Sequence, residues 1–175
     1  MTDATQTDLV ENFRNAMRHV AATVYAVTAI DNSKRYGILA TAVSSLSFEP
    51  PSVLVCVNRT ASLHDPMERA ERFCVNVLGL GNRDVAERFM LPRPDRFDVG
   101  DWTDELGVPV LNSAQSSLIC RTAHRQVFGT HTIFIGEVLG ARHRDDATPL
   151  TYFDRDYIDI SRVPRSADER PGPDQ

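Results

Sequence analysis

The fold of this chain is indicated most clearly by the stretch from Gly37 to Ser62, GILATAVSSLSFEPPSVLVCVNRTAS. It predicts two β-strands that are joined at a Glu49-Pro50-Pro51 corner and followed by a small polar loop. The first strand is rich in small hydroxyl side chains, which are Thr41, Ser44, Ser45 and Ser47. The loop offers hydrogen-bond donors from Asn58, Arg59, Thr60 and Ser62. Because small side chains let a flat ligand approach the backbone, the stretch predicts a strand-edge site for a planar, phosphorylated cofactor.

Plainer interpretations of the same stretch stay open. An ordinary edge strand whose hydroxyl groups face water would have the same composition. In the loop, Ser62 could cap the following helix while Arg59 remains in solvent. In the functional interpretation, Arg59 and Ser62 bind phosphate oxygens beside a helix N-terminus, whose free N–H groups favour an anion.

The overall composition is that of one acidic globular domain. A chain of 175 residues is long enough for a substantial core, and 42% of its residues are hydrophobic. Its 19 lysines and arginines against 24 aspartates and glutamates give a net charge of −5. That balance argues against a nucleic-acid or membrane-surface role, for which a basic patch is expected. A local basic cluster can still bind an anion.

The three cysteines, Cys56, Cys74 and Cys120, indicate a reducing compartment. Their number is odd, no pair has CxxC spacing, and two of them lie in apolar strand runs that favour buried, inert thiols. The first eight residues lack the basic and apolar regions of a signal peptide. No apolar run approaches the roughly 20 residues that span a bilayer. We therefore expect a cytoplasmic protein that contacts neither nucleic acid nor membrane.

The rest of the pattern predicts a few short helices among many strands. A helix is predicted over 8–20, because apolar residues recur there at helical spacing, with Thr7 or Asp8 as its cap. A second helix begins at His64-Asp65-Pro66 with Asp65 as N-cap and ends near Arg72, and a third spans 82–89. Further strands are predicted over 22–30, 73–78, 118–128, 132–141 and 150–157. The segment 91–109 is predicted to be a long irregular loop.

This order of elements favours a mainly β protein with an antiparallel barrel, which removes sheet edges by closure. Residues 1–160 are predicted to form a single domain without internal repeats. The tail over 161–175 is rich in proline and charge, and we expect it to be disordered.

Other sequence patterns limit the chemistry. Arg88-Phe89 and Arg96-Phe97 each place a cation beside an aromatic ring, although for Arg93 and Arg96 solvated charges are an equal alternative. No histidine, cysteine or aspartate cluster has metal-ligand spacing, so no metal is predicted. The chain has neither GxSxG nor GxGxxG after a strand, which argues against a serine hydrolase and a separate Rossmann domain.

Several short segments follow one another in a specific order over residues 11–158. They are Phe13-Arg14-Asn15-Ala16-Met17, Thr41-Ala42-Val43-Ser44-Ser45-Leu46-Ser47 with Pro50-Pro51, Val55-Cys56-Val57-Asn58, Ser62, Cys74-Val75-Asn76-Val77-Leu78, Gly129-Thr130-His131, and Pro149-Leu150 leading to Tyr152-Phe153. In this order the chain resembles the short-chain NAD(P)H:flavin oxidoreductases, the flavin reductases with the FMN-binding split-barrel fold. Many members have Gly-Asp-His where this chain has Gly129-Thr130-His131, so no role of that aspartate is transferred. The threonine variant looks more like the 4-hydroxyphenylacetate and pyrimidine-utilisation branches.

The resemblance implies a Greek-key split β-barrel, a homodimer, and a flavin site near the dimer interface. The flavin, FMN or FAD, is then expected at Thr41, Ala42, Val43, Ser44, Ser45, Cys56, Val57, Asn58, Arg59, Ser62, Leu63, Arg88, Phe89, Tyr152 and Phe153. His131 is expected beside the nicotinamide of NADH or NADPH, where it could donate a hydrogen bond or help to protonate reduced flavin through solvent. The plainer alternative is a structural histidine at the surface or the edge of the core.

The implied reaction is hydride transfer from nicotinamide C4 to flavin N5, which supplies reduced flavin to a partner monooxygenase. For this the protein need only hold two rings face to face at about 3–3.5 Å. One alternative keeps the fold but lacks turnover, as in a flavin- or haem-binding protein. Another, an enzyme like pyridoxamine-phosphate oxidase, would need more basic phosphate contacts than this sequence has.

Overall fold

The structure is a computed structural model that describes residues 3–91, 95–146 and 148–160. Arg93 and the tail over 161–175 lie outside the described residues. In chain order the elements are α1 (Asp3–Arg18), β1 (Ala22–Thr23), β2 (Tyr25–Asp31), β3 (Lys34–Ala40), β4 (Val43–Phe48), β5 (Pro51–Asn58), α2 (His64–Arg69), β6 (Arg72–Val77), a 3-10 turn (Leu80–Asn82), α3 (Arg83–Met90), a second 3-10 turn (Arg96–Asp98), β7 (Trp102–Glu105), β8 (Val108–Leu111), β9 (Ser116–Phe128), β10 (His131–His143), β11 (Thr151–Phe153) and β12 (Asp156–Ile158).

Seven strands form the main sheet, in the order β3-β2-β6-β9-β10-β5-β4. Every neighbouring pair in it is antiparallel. Its two edge strands, β3 and β4, are consecutive in the chain and are joined by Thr41-Ala42 alone. So short a link spans only about 10 Å. The sheet must therefore curl until its edges approach each other, which leaves a split between β3 and β4.

Two apolar clusters stabilise this curled sheet. The first lies inside the sheet and includes Val55, Val57, Phe73 and Phe134, all fully buried. The second lies under α3 and includes Leu78, Val85, Phe89, Leu111 and Leu150. Each such side chain contributes about 1.5–3 kcal/mol relative to exposure. The mainly β, antiparallel prediction is confirmed.

The opening stretch forms β4 and β5 as predicted, joined at a corner that contains a cis Glu49–Pro50 bond. Its first strand is interrupted, because β3 ends at Ala40 and β4 begins at Val43. The helix and strand positions elsewhere agree closely with the predicted ones. The predicted last strand is two strands, β11 and β12, which are separated by a turn at Asp154-Arg155.

Three local predictions are wrong. Helix α2 begins at His64, so its N-cap is Leu63, and the Asp65 carboxylate lies inside the first turn, where it accepts a hydrogen bond from His64 Nδ1 at 2.8 Å. Helix α1 begins at Asp3, so Thr7 and Asp8 lie inside it and do not cap it. The segment 91–109 is not wholly irregular, since it contains β7 and the start of β8. That hairpin is held by contacts distant in sequence, including the bond from Thr28 Oγ1 to the Pro109 carbonyl at 2.6 Å.

Within the described ranges, none of the helices combines the length and the apolar character that crossing a membrane requires.

Candidate functional site

A cavity of about 400 Å³ opens at the split between the two sheet edges. Six segments line it: β3, the β3–β4 link, β5, the loop after β5, α3 and β10. The lining residues are Ile38, Leu39, Ala40, Thr41, Ala42, Cys56, Asn58, Ala61, Phe89, Met90 and His131. Binding sites for small molecules and cofactors have volumes of about 300–1,000 Å³. The curl of the sheet thus brings segments distant in sequence together around a space of cofactor size.

One wall of the cavity is the ladder between β5 and β10. His131 pairs with Asn58, and Ile133 pairs with Cys56. Directly opposed residues of antiparallel strands share a face of the sheet, as do residues two apart in one strand. Cys56, Asn58 and His131 therefore lie on one face, while Val57 and Thr132 are fully buried on the other.

His131 lies at the start of β10, directly after the turn at Gly129, whose φ of +57° suits a residue without a side chain. The His131 Nδ1 atom is 2.9 Å from Thr130 Oγ1. If the threonine hydroxyl donates to Nδ1, the ring proton is on Nε2, which makes no hydrogen bond to any other described residue. The ring can then donate to a ligand from Nε2.

The backbone at the split also offers polar groups. Cys56 N donates to the Ala42 carbonyl at 3.0 Å, and the next pair along the ladder is Val43 with Val55. Because successive residues of an antiparallel strand point their polar groups to alternate sides, the N–H and C=O of Val43 point away from β5. Together with the small side chains of Ala40 and Ala42, this arrangement fits the polar edge of a planar ring such as a flavin. The apolar side chains of Phe89 and Met90 fit its faces.

The loop after β5 has a fixed shape. Asn58 Oδ1 accepts hydrogen bonds from Thr60 N and Thr60 Oγ1, both at 2.9 Å. Arg96 Nη1 donates to Ser62 Oγ at 2.9 Å and to the Gly37 carbonyl at 2.7 Å. Arg96 is thus bonded across the site and not simply solvated. Arg59 is exposed and forms no ion pair with another described residue. Its guanidinium is therefore available to bind an anion.

Arg88 and Phe89 lie in α3 beside the cavity. The Arg88 guanidinium pairs with Asp95, with 2.6 Å between Nη1 and Oδ2. The second carboxylate oxygen of Asp95 is buried without a partner in the described part of the chain. Phe89 is 3% exposed and packs against Phe97 and Trp102, with ring centroids at 5.3 and 5.4 Å. Phe89 is therefore both a core residue and part of the cavity wall.

The structure distributes the sequence-predicted site residues unevenly. It brings together at the cavity Thr41, Ala42, Cys56, Asn58, Phe89 and His131. Ser44 and Ser45 are exposed on the edge strand β4, and Val43 is half-buried there. Val57 and Leu63 bury their side chains in the core, so only their backbone could contact a ligand. Tyr152 lines two adjoining cavities, and Phe153 packs near His19 with ring centroids at 6.0 Å.

Five residues of the cavity wall were not predicted: Ile38, Leu39, Ala40, Ala61 and Met90. Ala61 lies between two predicted donors, and Met90 directly follows Arg88-Phe89, so adjacency could have indicated both. The β3 residues gave no signal, because only the curl of the sheet brings them to the site.

An antiparallel sheet split at a cofactor-sized cavity is the architecture expected from the resemblance, and comparison with known proteins shows the family. The model of the flavin reductase like domain matches residues 17–161, and the chain belongs to that family.

The relatives that follow are similar to this chain over most of its length and of their own. An "FMN reductase (NADH) RutF" of Stutzerimonas stutzeri is 40% identical over 154 residues, which are 86% of this chain and 88% of the relative. A "4-hydroxyphenylacetate 3-monooxygenase reductase component" of Pseudomonas aeruginosa is 36% identical over 160 residues, 89% of this chain and 94% of that one. The solved structure of an NADH:FAD oxidoreductase of Streptomyces globisporus, in complex with NAD and FAD fragments, has a TM-score of 0.81 and 28% identity, covering 85% of this chain and 91% of that one.

Proposed function

We propose that this protein is a flavin reductase that oxidises NADH and reduces FMN or FAD. When bound, the nicotinamide and the flavin supply the chemistry, a hydride transfer from C4 of one ring to N5 of the other. The observation that supports this most is the cavity at the Thr41-Ala42 split, which combines small residues, a free backbone edge and His131. The names of the relatives, an FMN reductase (NADH) among them, support NADH as the reductant.

The residues of the chain act mainly by positioning. The β5–β10 wall with Cys56 and Asn58 orients one ring, and Ala40 and Ala42 leave room for it against the backbone. His131, at the rim of the same wall, would donate from Nε2 to the carboxamide of the second ring. Holding two reactants in the correct geometry supplies a large part of the rate enhancement without a covalent catalyst.

The proposal includes the setting in which the enzyme works. We propose that reduced flavin leaves and serves a monooxygenase, as the name of the Pseudomonas relative suggests. The proposal includes a homodimer, for which Phe48 and Phe128, 88% and 77% exposed at opposite ends of β5, are candidate contact residues. A cytoplasmic location is supported by free thiols at Cys56, Cys74 and Cys120.

A steady-state assay tests the function. Oxidation of NADH and of NADPH is followed with FMN, FAD and riboflavin in turn, and without flavin. We expect nucleotide consumption only when a flavin is present, and faster with NADH than with NADPH. If no flavin supports oxidation of either nucleotide but flavin binds, the protein is a flavin-binding protein without turnover.

A further inference from the structure

A second cavity, of about 540 Å³, lies between α1 and the strands beside the split. Thr41 and Ala42 line both this cavity and the one assigned to flavin, so the two are adjacent across that link. Three arginines line the second cavity, Arg14 and Arg18 from α1 and Arg155 from the β11–β12 turn. The function proposed above does not use any of them.

The three arginines are brought together by specific contacts. Arg14 and Arg18 are four residues apart in α1 and so lie one helical turn apart on the same side. Asp154 N donates to the Arg18 carbonyl at 2.9 Å, which fixes the β11–β12 turn to the end of α1. Arg155 has a φ of +72° in that turn, in the left-handed region where glycine or asparagine is usual. Its side chain lines the cavity together with those of Arg14 and Arg18.

The charge at this cavity is unbalanced. Among the described residues, no aspartate or glutamate lines it, although acidic residues outnumber basic ones in the whole chain. None of the three arginines forms an ion pair with a described residue, whereas Arg88 and Arg121 each pair with a carboxylate. Glu11, one turn before Arg14, lines an adjoining groove together with Arg14 and Arg18, without forming an ion pair with either. Three like charges around one space repel one another, and a bound polyanion would offset that repulsion.

The rest of the lining is apolar and aromatic. Phe13, Met17 and Val20 are 63, 50 and 52% exposed, and Tyr152 of β11 also lines the cavity. An exposed ring beside arginines suits a ligand with a flat base and an anionic group, because bases stack on aromatic side chains and guanidinium binds phosphate in a bidentate manner.

We propose that this arginine-lined cavity binds the adenosine diphosphate half of a dinucleotide. The inference rests on the proposed function, because the cavity adjoins the flavin cavity and one dinucleotide could extend across Thr41-Ala42. That half occurs in both NADH and FAD, and the shared chemistry is a diphosphate with an adenosine. In this assignment Arg14, Arg18 and Arg155 bind the phosphates and Phe13 stacks on the base.

A binding experiment without turnover tests the site directly. Fluorescent ADP is titrated into the full-length wild-type protein and into the full-length variants Arg14→Gln, Arg18→Gln and Arg155→Gln. Arg121→Gln is the matched control, since Arg121 pairs with Glu137 and lines neither cavity. We expect each site variant to weaken ADP binding by about tenfold or more, as for a lost charge-assisted bond, and the control to bind as the wild type does. Absence of ADP binding to the wild type, or equal losses in site and control variants, would overturn the proposal.

Steady-state kinetics then identify the source of the diphosphate. NADH is compared with reduced nicotinamide mononucleotide, and FAD with FMN, in the same variants. A raised KM for NADH alone assigns the site to NADH, and a raised KM for FAD alone assigns it to FAD. Equal changes for all four compounds, or none, would contradict the proposal. If the chain proves to have no reductase activity, the ADP titration still decides whether the cavity is a nucleotide site.

Discussion

At the scale of single residues, His131 is the side chain whose position bears most directly on the reaction. It lines the cavity and pairs with Asn58 in the sheet, and Nδ1 is the only atom of its ring with a hydrogen-bond partner among the described residues. We expect His131→Ala to impair the nucleotide step more than flavin binding. The loss of one neutral hydrogen bond, about 0.5–1.5 kcal/mol, corresponds to a few-fold to roughly tenfold increase in KM for NADH or decrease in kcat.

The matched control for this variant is His124→Ala, because His124 is an exposed histidine on the neighbouring strand β9. Flavin affinity is measured by fluorescence quenching, and NADH kinetics at saturating flavin. Weakened flavin binding with unchanged kinetics would reverse the assignment of His131. Wild-type behaviour in both measurements would make His131 a structural residue.

Arg88 raises a different question, because its partner Asp95 competes with any phosphate for the guanidinium. If Arg88 nevertheless binds the flavin phosphate, Arg88→Ala should weaken FMN binding and leave riboflavin binding unchanged. A charge-assisted bond is worth about 1.5–3 kcal/mol, or roughly ten- to a hundredfold in the dissociation constant.

The control is Arg83→Ala in the same helix, since Arg83 forms an exposed pair with Glu87. Equal weakening of FMN and riboflavin binding in the Arg88 variant would show instead that Arg88 acts on the shape of the site through Asp95. Unchanged binding of both would remove Arg88 from the site.

At the scale of elements, β10 depends on a close approach between its backbone and the core. A Cβ atom on Gly136 would lie 2.4 Å from Phe73 Cζ and 2.7 Å from Cys120 Cβ. We expect Gly136→Ala to destabilise the fold by about 1–3 kcal/mol, the usual cost of overpacking a core. The control is Gly140→Ala, four residues along the same strand, because the one described atom within 4 Å of a Cβ there would be Ile119 Cδ1, at 4.0 Å. Urea unfolding measures the free energy of unfolding of both alanine variants. Equal stability of the two would show that Gly136 is not required for close packing against Phe73 and Cys120.

The hairpin of β7 and β8 shows why part of the fold escaped prediction. Its position is fixed by the buried Asn76, whose Oδ1 accepts from Leu111 N at 2.9 Å and from Ser117 Oγ at 3.0 Å. The amide of Asn76 donates to the Ala26 carbonyl at 3.1 Å. These bonds join segments that are up to 50 residues apart. A local pattern does not record such contacts, and the prolines around the hairpin favoured a loop.

At the scale of the whole molecule, local patterns predicted most strands and the class of fold, because alternation and turn residues are local signals. They also indicated Asn58 as a site residue, whereas His131 was indicated only by the resemblance to the flavin reductases. They did not predict that β3 would line the cavity, or that Arg96 would bond Ser62. Both depend on the curl of the sheet around the Thr41-Ala42 link.

The proposed homodimer is a property of the whole molecule as well. Light scattering at micromolar concentration should give about twice the 19.5 kDa mass of one chain. Replacing Phe48 and Phe128 with serine should shift the population toward the monomer, since both rings are exposed in a single chain. A mass of one chain for the wild type would contradict the dimer.

We propose that the cavity at the split holds nicotinamide and flavin face to face for hydride transfer. The most direct test is anaerobic stopped-flow mixing of the protein and FMN with NADH, unlabelled or deuterated at the transferred C4 position, with loss of oxidised flavin absorbance as the signal. We expect flavin reduction to be slower with the deuterated nucleotide, and slower again in a Ser45→Trp variant, which fills space at the β4 edge beside the split. If the wild type and the Ser45→Trp variant both reduce FMN no faster than free NADH does in buffer, the proposed arrangement of the two rings is contradicted.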